Sequence, residues 1–368
     1  MNKDNAKSVY IHIPFCKAIC SYCDFCKVLY NKKWISDYFQ ALKQEIELNY
    51  KNELIKTIYI GGGTPSILDI EELKTLFEIV KIFNFDKEFE FTFECNIDSI
   101  TLNKLLFLYE NKVNRISIGI ESFNKNNLKF VNRMYSYETV KSKIAGMKKI
   151  GFNNINIDLI YALPNQTIDS LKNDLDLFIK LDVNHISTYS LMIEPHTKLY
   201  IENVQVIDED NDYEMYTYIV KYLKQNGYNH YEISNFSKIG FESKHNLTYW
   251  NNLPYYGFGL GASGYINGVR YDNTKSLTNY LKGKYHLKED KLTKHISIEN
   301  ELILGFRKMN GINKKDFYNK FGIKLEELNV IKKMLGKEKL IENERNIYIN
   351  PKYIYISNEI LVDFIGEV

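Results

Sequence analysis

The sequence predicts an α/β protein: a partial (β/α)6, TIM-like barrel followed by a small C-terminal winged-helix-like domain. Three observations lead there. Short β-rich runs alternate with longer amphipathic stretches over the first ~200 residues, the period of repeated βα units around a parallel sheet. Six such units are too few to close an eight-stranded barrel. From about Ile298 the helical patterns shorten and end in Asn346-Ile347-Tyr348-Ile349, a helix, helix, helix, strand-pair order.

The first strand, Val9 to Ile13, leads straight into a cysteine-bearing loop, and Ile35 to Leu48 is apolar at helical spacing. Thr57 to Ile60 is a second strand, ended by Gly61-Gly62-Gly63-Thr64-Pro65. Asp69 caps the next helix, which runs to about Ile82. Strand three is Glu90 to Glu94, followed by a helix from Leu102 to Tyr109. Strand four, Arg115 to Ile120, precedes helical segments from Asn124 to Val131 and Tyr137 to Lys149. Strand five, Ile155 to Ile160, stops at Leu163-Pro164; a helix spans Leu171 to Ile179, and His185 to Met192 is strand six. Beyond it come a helix from about Asp210 to Gln225, a short strand around Tyr231-Glu232-Ile233, an irregular His245-Asn246-Leu247-Thr248-Tyr249-Trp250 and the glycine-rich Gly257 to Gly264. The expected division is a core over 1–200, an extension of it over 201–297 and the second domain over 298–368.

With 368 residues, 45% hydrophobic and 26% charged, the chain can bury a substantial core. Its 48 basic and 46 acidic residues leave a formal net charge of +2, so no nucleic-acid partner is expected. No apolar run approaches the ~18 residues of a transmembrane segment, and Met1-Asn2-Lys3-Asp4 lacks the apolar stretch of a signal peptide; a cytoplasmic location is expected. Five cysteines, three of them in one short loop, fit a reducing compartment and not a disulfide scaffold.

That loop, Cys16-Lys17-Ala18-Ile19-Cys20-Ser21-Tyr22-Cys23, carries the chemistry. Thiolate is the soft ligand that iron-sulfur clusters require, and a 4Fe-4S cube held by three cysteines keeps one iron open. Spacing alone also admits structural zinc, with Cys26 as a fourth ligand. The glycine run after strand two is either a plain turn or backbone brought close to a small ligand. Placed on the strands, the cysteine loop, Gly61 to Thr64, Glu94, Glu121 and Asp158 face one rim, the C-terminal ends of the strands. Cys95 reads as a buried structural thiol and His12 as a packing residue.

Five segments together resemble the radical S-adenosylmethionine (SAM) proteins related to oxygen-independent coproporphyrinogen III oxidase. They are Tyr10 to Cys16, Cys20 with Tyr22-Cys23-Asp24-Phe25, Gly61 to Ser66, Ile116 to Phe123, and Asn156 to Pro164. Within that group His245-Asn246-Leu247-Thr248-Tyr249-Trp250 is similar to the signature of the heme-chaperone branch. The resemblance implies a radical SAM barrel in which Cys16, Cys20 and Cys23 bind a 4Fe-4S cluster and SAM chelates the open iron. It further implies that Tyr10 and Tyr22 flank the cofactor, that Gly62, Gly63 and Thr64 meet its methionine part, and that Glu94, Glu121, Arg133 and Asp158 hold its polar groups. Arg133 can fork onto a carboxylate, while acids suit a sulfonium and ribose hydroxyls.

Two departures from the family pattern stand out. Glu121 replaces the usual Gln, and a carboxylate accepts hydrogen bonds without donating them. Cys26 lies three residues past Cys23, where the oxidase branch has an extra cysteine two residues on. That spacing, the 15 residues ahead of Cys16 and a total of five arginines favour heme delivery over radical decarboxylation of coproporphyrinogen III, with another radical SAM activity as a further alternative. A heme chaperone implies heme as cargo, an acceptor protein, and an electron donor such as flavodoxin or ferredoxin. His245, with Tyr249 and Trp250 nearby to pack a porphyrin face, is the candidate heme ligand; the alternative is a hydrogen-bonded structural histidine.

Overall fold

The computed structural model describes residues 5–367, so the expectation placed on Met1 to Asp4 lies outside the described residues. Six parallel strands alternate with helices as the periodicity requires. They are β1 (Ser8–Ile13), β2 (Leu54–Gly62), β3 (Asn84–Asn96), β4 (Arg115–Glu121), β5 (Asn154–Tyr161) and β6 (His185–Ser190). Each lies beside its predecessor in the sheet, the stepwise winding of a barrel. The intervening helices are α1 (Lys32–Asn49), α2 (Ile70–Val80), α3 (Leu102–Glu110), α4 (Lys125–Phe130), α5 (Tyr137–Ile150) and α6 (Ile168–Lys180). Strand interiors such as Val9, Ile11, Ile58, Ile60, Ile116, Ile118, Ile155 and Ile157 are fully buried against them. That is the signature of a parallel sheet covered by its crossover helices. The capping box at Asp69 and Glu72 fixes where α2 begins.

Later strands extend the sheet at both edges, which the sequence did not signal in full. After α7 (Glu209–Gln225), the hairpin of β7 (Asn229–Glu232) and β8 (Asn235–Ser237) adds antiparallel to β6. On the opposite edge β9 (Tyr256–Phe258), from the glycine-rich segment, pairs parallel with β1. The sheet therefore has nine strands and stays open, a partial barrel with its edges extended.

The segment read as irregular is corrected: Lys244–Trp250 is a helix, α8, capped by Ser243. Two of its first amide groups, on Lys244 and His245, donate 3.0 Å hydrogen bonds to the two oxygens of Glu90 in β3. A carboxylate 155 positions away thus satisfies the helix N-terminus.

The last part of the chain builds its own apolar core from residues such as Leu302, Phe306, Phe317, Ile331, Ile347 and Ile360. Helices Lys294–Gly305, Lys314–Phe321 and Asn329–Gly336 pack on a three-stranded antiparallel sheet of Ile312–Asn313, Asn346–Ile349 and Leu340–Glu342. The two-residue first strand is absent from the strand pair expected from sequence. This body joins the barrel where Met309 N–H donates to Tyr231 O and the Arg307 guanidinium stands 5.5 Å from the Trp250 ring centroid.

Glu45 of α1 staples the edge strand in place. Its buried carboxylate accepts from Gly259 N–H at 2.9 Å, Asn273 Nδ2 at 2.5 Å and Tyr280 O–H at 2.6 Å. Replacing it strands three buried donors, so Glu45→Ala should lower the unfolding free energy by about 3 kcal/mol in urea titration. Burial also pushes the Glu45 carboxyl up to about 7. The folded chain therefore holds a proton there that the unfolded chain has lost, and stability attributable to this group declines as pH rises toward 7. The decline should vanish in Glu45→Gln, compared with the parent from pH 5 to pH 8.

Candidate functional site

The cysteine loop is closed at its base by a short parallel ladder between Phe15–Cys16 and Val28–Leu29, with Val28 N–H donating to Pro14 O and Tyr30 N–H to Cys16 O, both at 2.8 Å. His12 braces it from β1. Its Nε2 donates to Cys26 O at 2.6 Å while Nδ1 accepts from Tyr10 O–H at 2.9 Å. Burial lowers this imidazole to about 4, which keeps it neutral and fixes that donor-acceptor assignment.

The glycine run abuts this loop directly. Gly63 N–H donates to Ile13 O and Thr64 N–H to Phe15 O, each at 2.8 Å. A Cβ at Gly63 would stand 2.7 Å from the Pro14 carbonyl carbon, and one at Gly62, whose φ is +110°, would stand 2.4 Å from the His12 ring. These glycines are therefore required by the closeness of two backbones, in addition to facing the cavity. Thr64 Oγ1 donates to Cys16 Sγ at 3.7 Å, and burial pushes that thiol up to about 11. Ligation must displace its proton.

Cys16, Cys20 and Cys23 line a cavity of about 490 Å³ together with Tyr22, Gly62, Gly63, Thr64, Glu94, Glu121, Arg133 and Asp158, among others. Eleven of the thirteen residues singled out in the sequence thus meet at one place. Tyr10 does not reach the cavity lining; its hydroxyl is spent on His12 and its ring packs on Tyr59. His245 lies elsewhere, 1% exposed, with Nδ1 bonded to Thr57 Oγ1 and Nε2 to Tyr249 O–H, both at 2.8 Å. Cys26 turns away from the cavity, its Sγ 3.9 Å from Lys275 O and its Cβ under Gly261. Cys95 is buried, as expected, at the cavity edge.

The polar half of the cavity is tightly wired. Glu94 accepts from Tyr59 O–H at 2.6 Å and from Gly62 N–H at 2.9 Å. Glu121 accepts from Tyr22 O–H at 2.8 Å and pairs with Arg133 Nη2 at 3.4 Å, from a left-handed backbone with φ +67° at a register shift in β4. Such strain in a non-glycine residue is retained where surrounding structure holds it and is concentrated at functional sites. Asn156 Nδ2 donates to Asp158 Oδ1 at 2.8 Å. Burial pushes Glu94 and Glu121 up to about 7 and raises Asp158, so a cationic ligand would restore their charged forms.

The residues fit a SAM-bound iron-sulfur cluster. Three thiols supply the soft donor set, and Arg133 Nε is buried without a partner, which leaves the guanidinium capacity for a ligand carboxylate. Cys26 lies outside the cavity lining with its Sγ toward Lys275 O, so the four-cysteine zinc arrangement lacks its fourth ligand in this conformation. Two neighbouring groups were missed in the sequence: Tyr59, which holds Glu94, and Arg115, a cation at the start of β4; both line an adjoining cavity.

The Radical SAM superfamily pattern matches residues 10–178, which include the cysteine loop and every cavity residue named above. A heme chaperone HemW of Lactococcus lactis is 40% identical over 97% of this chain and 97% of its own length. The heme chaperone HemW of Bacillus subtilis is 37% identical over 98% of this chain and its full length. The chain belongs to the HemW family of radical SAM proteins. Coproporphyrinogen III oxidase (HemN) from Escherichia coli superposes with a TM-score of 0.87 at 21% identity, covering 100% of this chain and 91% of its own, and shares the fold. Membership in the superfamily implies a 4Fe-4S cluster and SAM. Among the described residues no helix is long and apolar enough to cross a membrane.

Three outcomes follow for the site. Cys20→Ala should abolish the broad visible iron-sulfur absorption after anaerobic reconstitution, whereas Cys26→Ala should keep it. Arg133→Ala should keep the cluster and weaken SAM binding by roughly 10- to 100-fold in calorimetry, the effect of losing a charge-assisted hydrogen bond. Gly63→Val should impair both, since its side chain would displace the cysteine loop.

Proposed function

We propose that the chain is a cytoplasmic heme chaperone that binds heme and passes it to an acceptor protein. The reading rests on its 40% and 37% identity, over nearly whole lengths, with proteins named heme chaperone HemW. The likeness to the oxidase is one of fold. In this reading Cys16, Cys20 and Cys23 hold the cluster. Arg133 binds the SAM carboxylate, and Glu94, Glu121 and Asp158 face its cationic and hydroxyl groups. When bound, the cluster supplies one electron to the sulfonium, drawn from a flavodoxin- or ferredoxin-like donor, for a reductive or regulatory purpose. Tyr22 orients Glu121, and Tyr59 with the Gly62 amide orients Glu94.

Ligation of heme iron by His245 would require it to give up one of two 2.8 Å hydrogen bonds and leave the core. We therefore assign His245 to tying α8 to β2 through Thr57. His245→Ala should leave the heme absorption spectrum unchanged and cost about 2 kcal/mol of stability in denaturant titration, because Thr57 and Tyr249 lose a shared partner. A shifted heme spectrum would return the residue to the heme site.

The decisive comparison is incubation of anaerobically reconstituted protein, with SAM and a reductant, with heme or with coproporphyrinogen III. Stoichiometric heme uptake without decarboxylation is expected. Formation of the vinyl product from coproporphyrinogen III would overturn the chaperone reading in favour of the oxidase.

A further inference from the structure

Behind the cysteine cavity lies a second compartment of about 380 Å³, sharing the wall formed by Tyr22, Cys23, Glu94, Ser117, Glu121 and Asp158. Arg115 lines it. This arginine is 1% exposed, and its Nε is buried without a hydrogen-bond partner. Among the described residues its guanidinium makes no hydrogen bond and no ion pair. Glu94 and Asp158 lie within reach of its charge, but their hydrogen bonds are made with Tyr59, Gly62 and Asn156 and not with the guanidinium. A buried guanidinium donor without an acceptor is costly, and a ligand anion would complete it. Arg115 is also shaped to receive a carboxylate on two parallel N–H groups.

Part of the lining is of opposite character. Phe25, which lines the cysteine cavity as well, Tyr189 and Met192 are 60%, 41% and 66% exposed, and Leu191 and Ile160 add to the apolar lining. Exposed large apolar groups gathered around a cavity mark a surface that takes an apolar partner. Asn246, the second residue of the His245-to-Trp250 segment, also lines the compartment, and among the described residues its side-chain amide has no hydrogen-bond partner. The segment thus reaches this cavity through its asparagine, while its histidine is spent in the core.

We propose that this compartment is a porphyrin-anchoring site: a propionate carboxylate of heme is bound by Arg115, with Asn246 as a second donor, while the ring rests on Phe25, Tyr189 and Met192. The assignment rests on the heme reading above and deepens it, and it involves no iron ligand from His245. It places the porphyrin against the wall shared with the SAM cavity, so that cargo and cofactor are neighbours.

The test compares binding of heme and of heme dimethyl ester, whose propionates carry no charge, to the reconstituted full-length protein and to Arg115→Met. The parent should bind heme at least ~10-fold more tightly than the diester, the effect of one charge-assisted hydrogen-bonded pair. Arg115→Met should bind both ligands as weakly as the parent binds the diester. Equal binding of heme and diester by the parent would overturn the assignment whether or not the variant folds. An acid-over-ester preference that survives in Arg115→Met would overturn it as well, and so would equal loss of both ligands by a folded variant. Failure of the parent to bind heme at all would overturn the chaperone reading together with this site, whereas heme binding without a preference would overturn this site alone.

Discussion

Two backbone segments share a space that side chains would fill. The glycine run after β2 packs on the loop after β1 so closely that Gly63 and Thr64 donate their amides to Ile13 and Phe15, and a Cβ at Gly63 would overlap the Pro14 carbonyl. This contact sets where Cys16 sits and brings the Thr64 hydroxyl to its sulfur. On the far side His12, held neutral by burial, ties the loop's other end through the Cys26 carbonyl. The loop is short in ladder hydrogen bonds of its own, so its shape comes from the strands beneath it. Strand ends of a βα barrel serve well as such a platform, because the sheet fixes their spacing while the loops remain free to vary.

The second determinant is electrostatic. Glu94, Glu121, Asp158, Arg133 and Arg115 are gathered in an interior where charge is poorly solvated. Only Glu121 and Arg133 form a direct ion pair. The carboxyls answer by holding protons to a higher pH than usual, and the two guanidinium groups keep buried nitrogens unpaired. A site in this condition gains by binding a ligand that carries both signs. SAM, with a sulfonium, an amine and a carboxylate, matches the outer cavity; a carboxylate arm matches the inner one. Glu121, paired with Arg133, offers this cavity a carboxyl group that accepts hydrogen bonds.

Much of this was legible in the sequence because it is local. Six β-rich runs at regular spacing specify the sheet, and residues at consecutive strand ends must share a rim whatever the rest of the chain does. Eleven site residues follow from that rule and the motifs. What was not legible depends on distant partners. Lys244–Trp250 has β-branched and aromatic residues of modest helix propensity, and the helix forms because Glu90 caps it from β3. Edge strand β9 is three residues long and glycine-bearing, and it is held by Glu45 from α1. His245 resembled a free ligand until Thr57 and Tyr249 were seen to occupy both ring nitrogens. Arg115 passed unnoticed because an arginine at a strand start usually reaches solvent, and only the surrounding strands show that it cannot.

The central claim is that three cysteine thiolates hold a cluster whose fourth iron is open to SAM. Mössbauer spectroscopy of protein reconstituted with iron-57 reads this directly, since each iron reports its own coordination. Addition of SAM should shift the signal of one iron in four and leave the other three unchanged, in the parent and in Cys26→Ala alike. Four irons that all remain unchanged on SAM addition, or a cluster that requires Cys26, would contradict it.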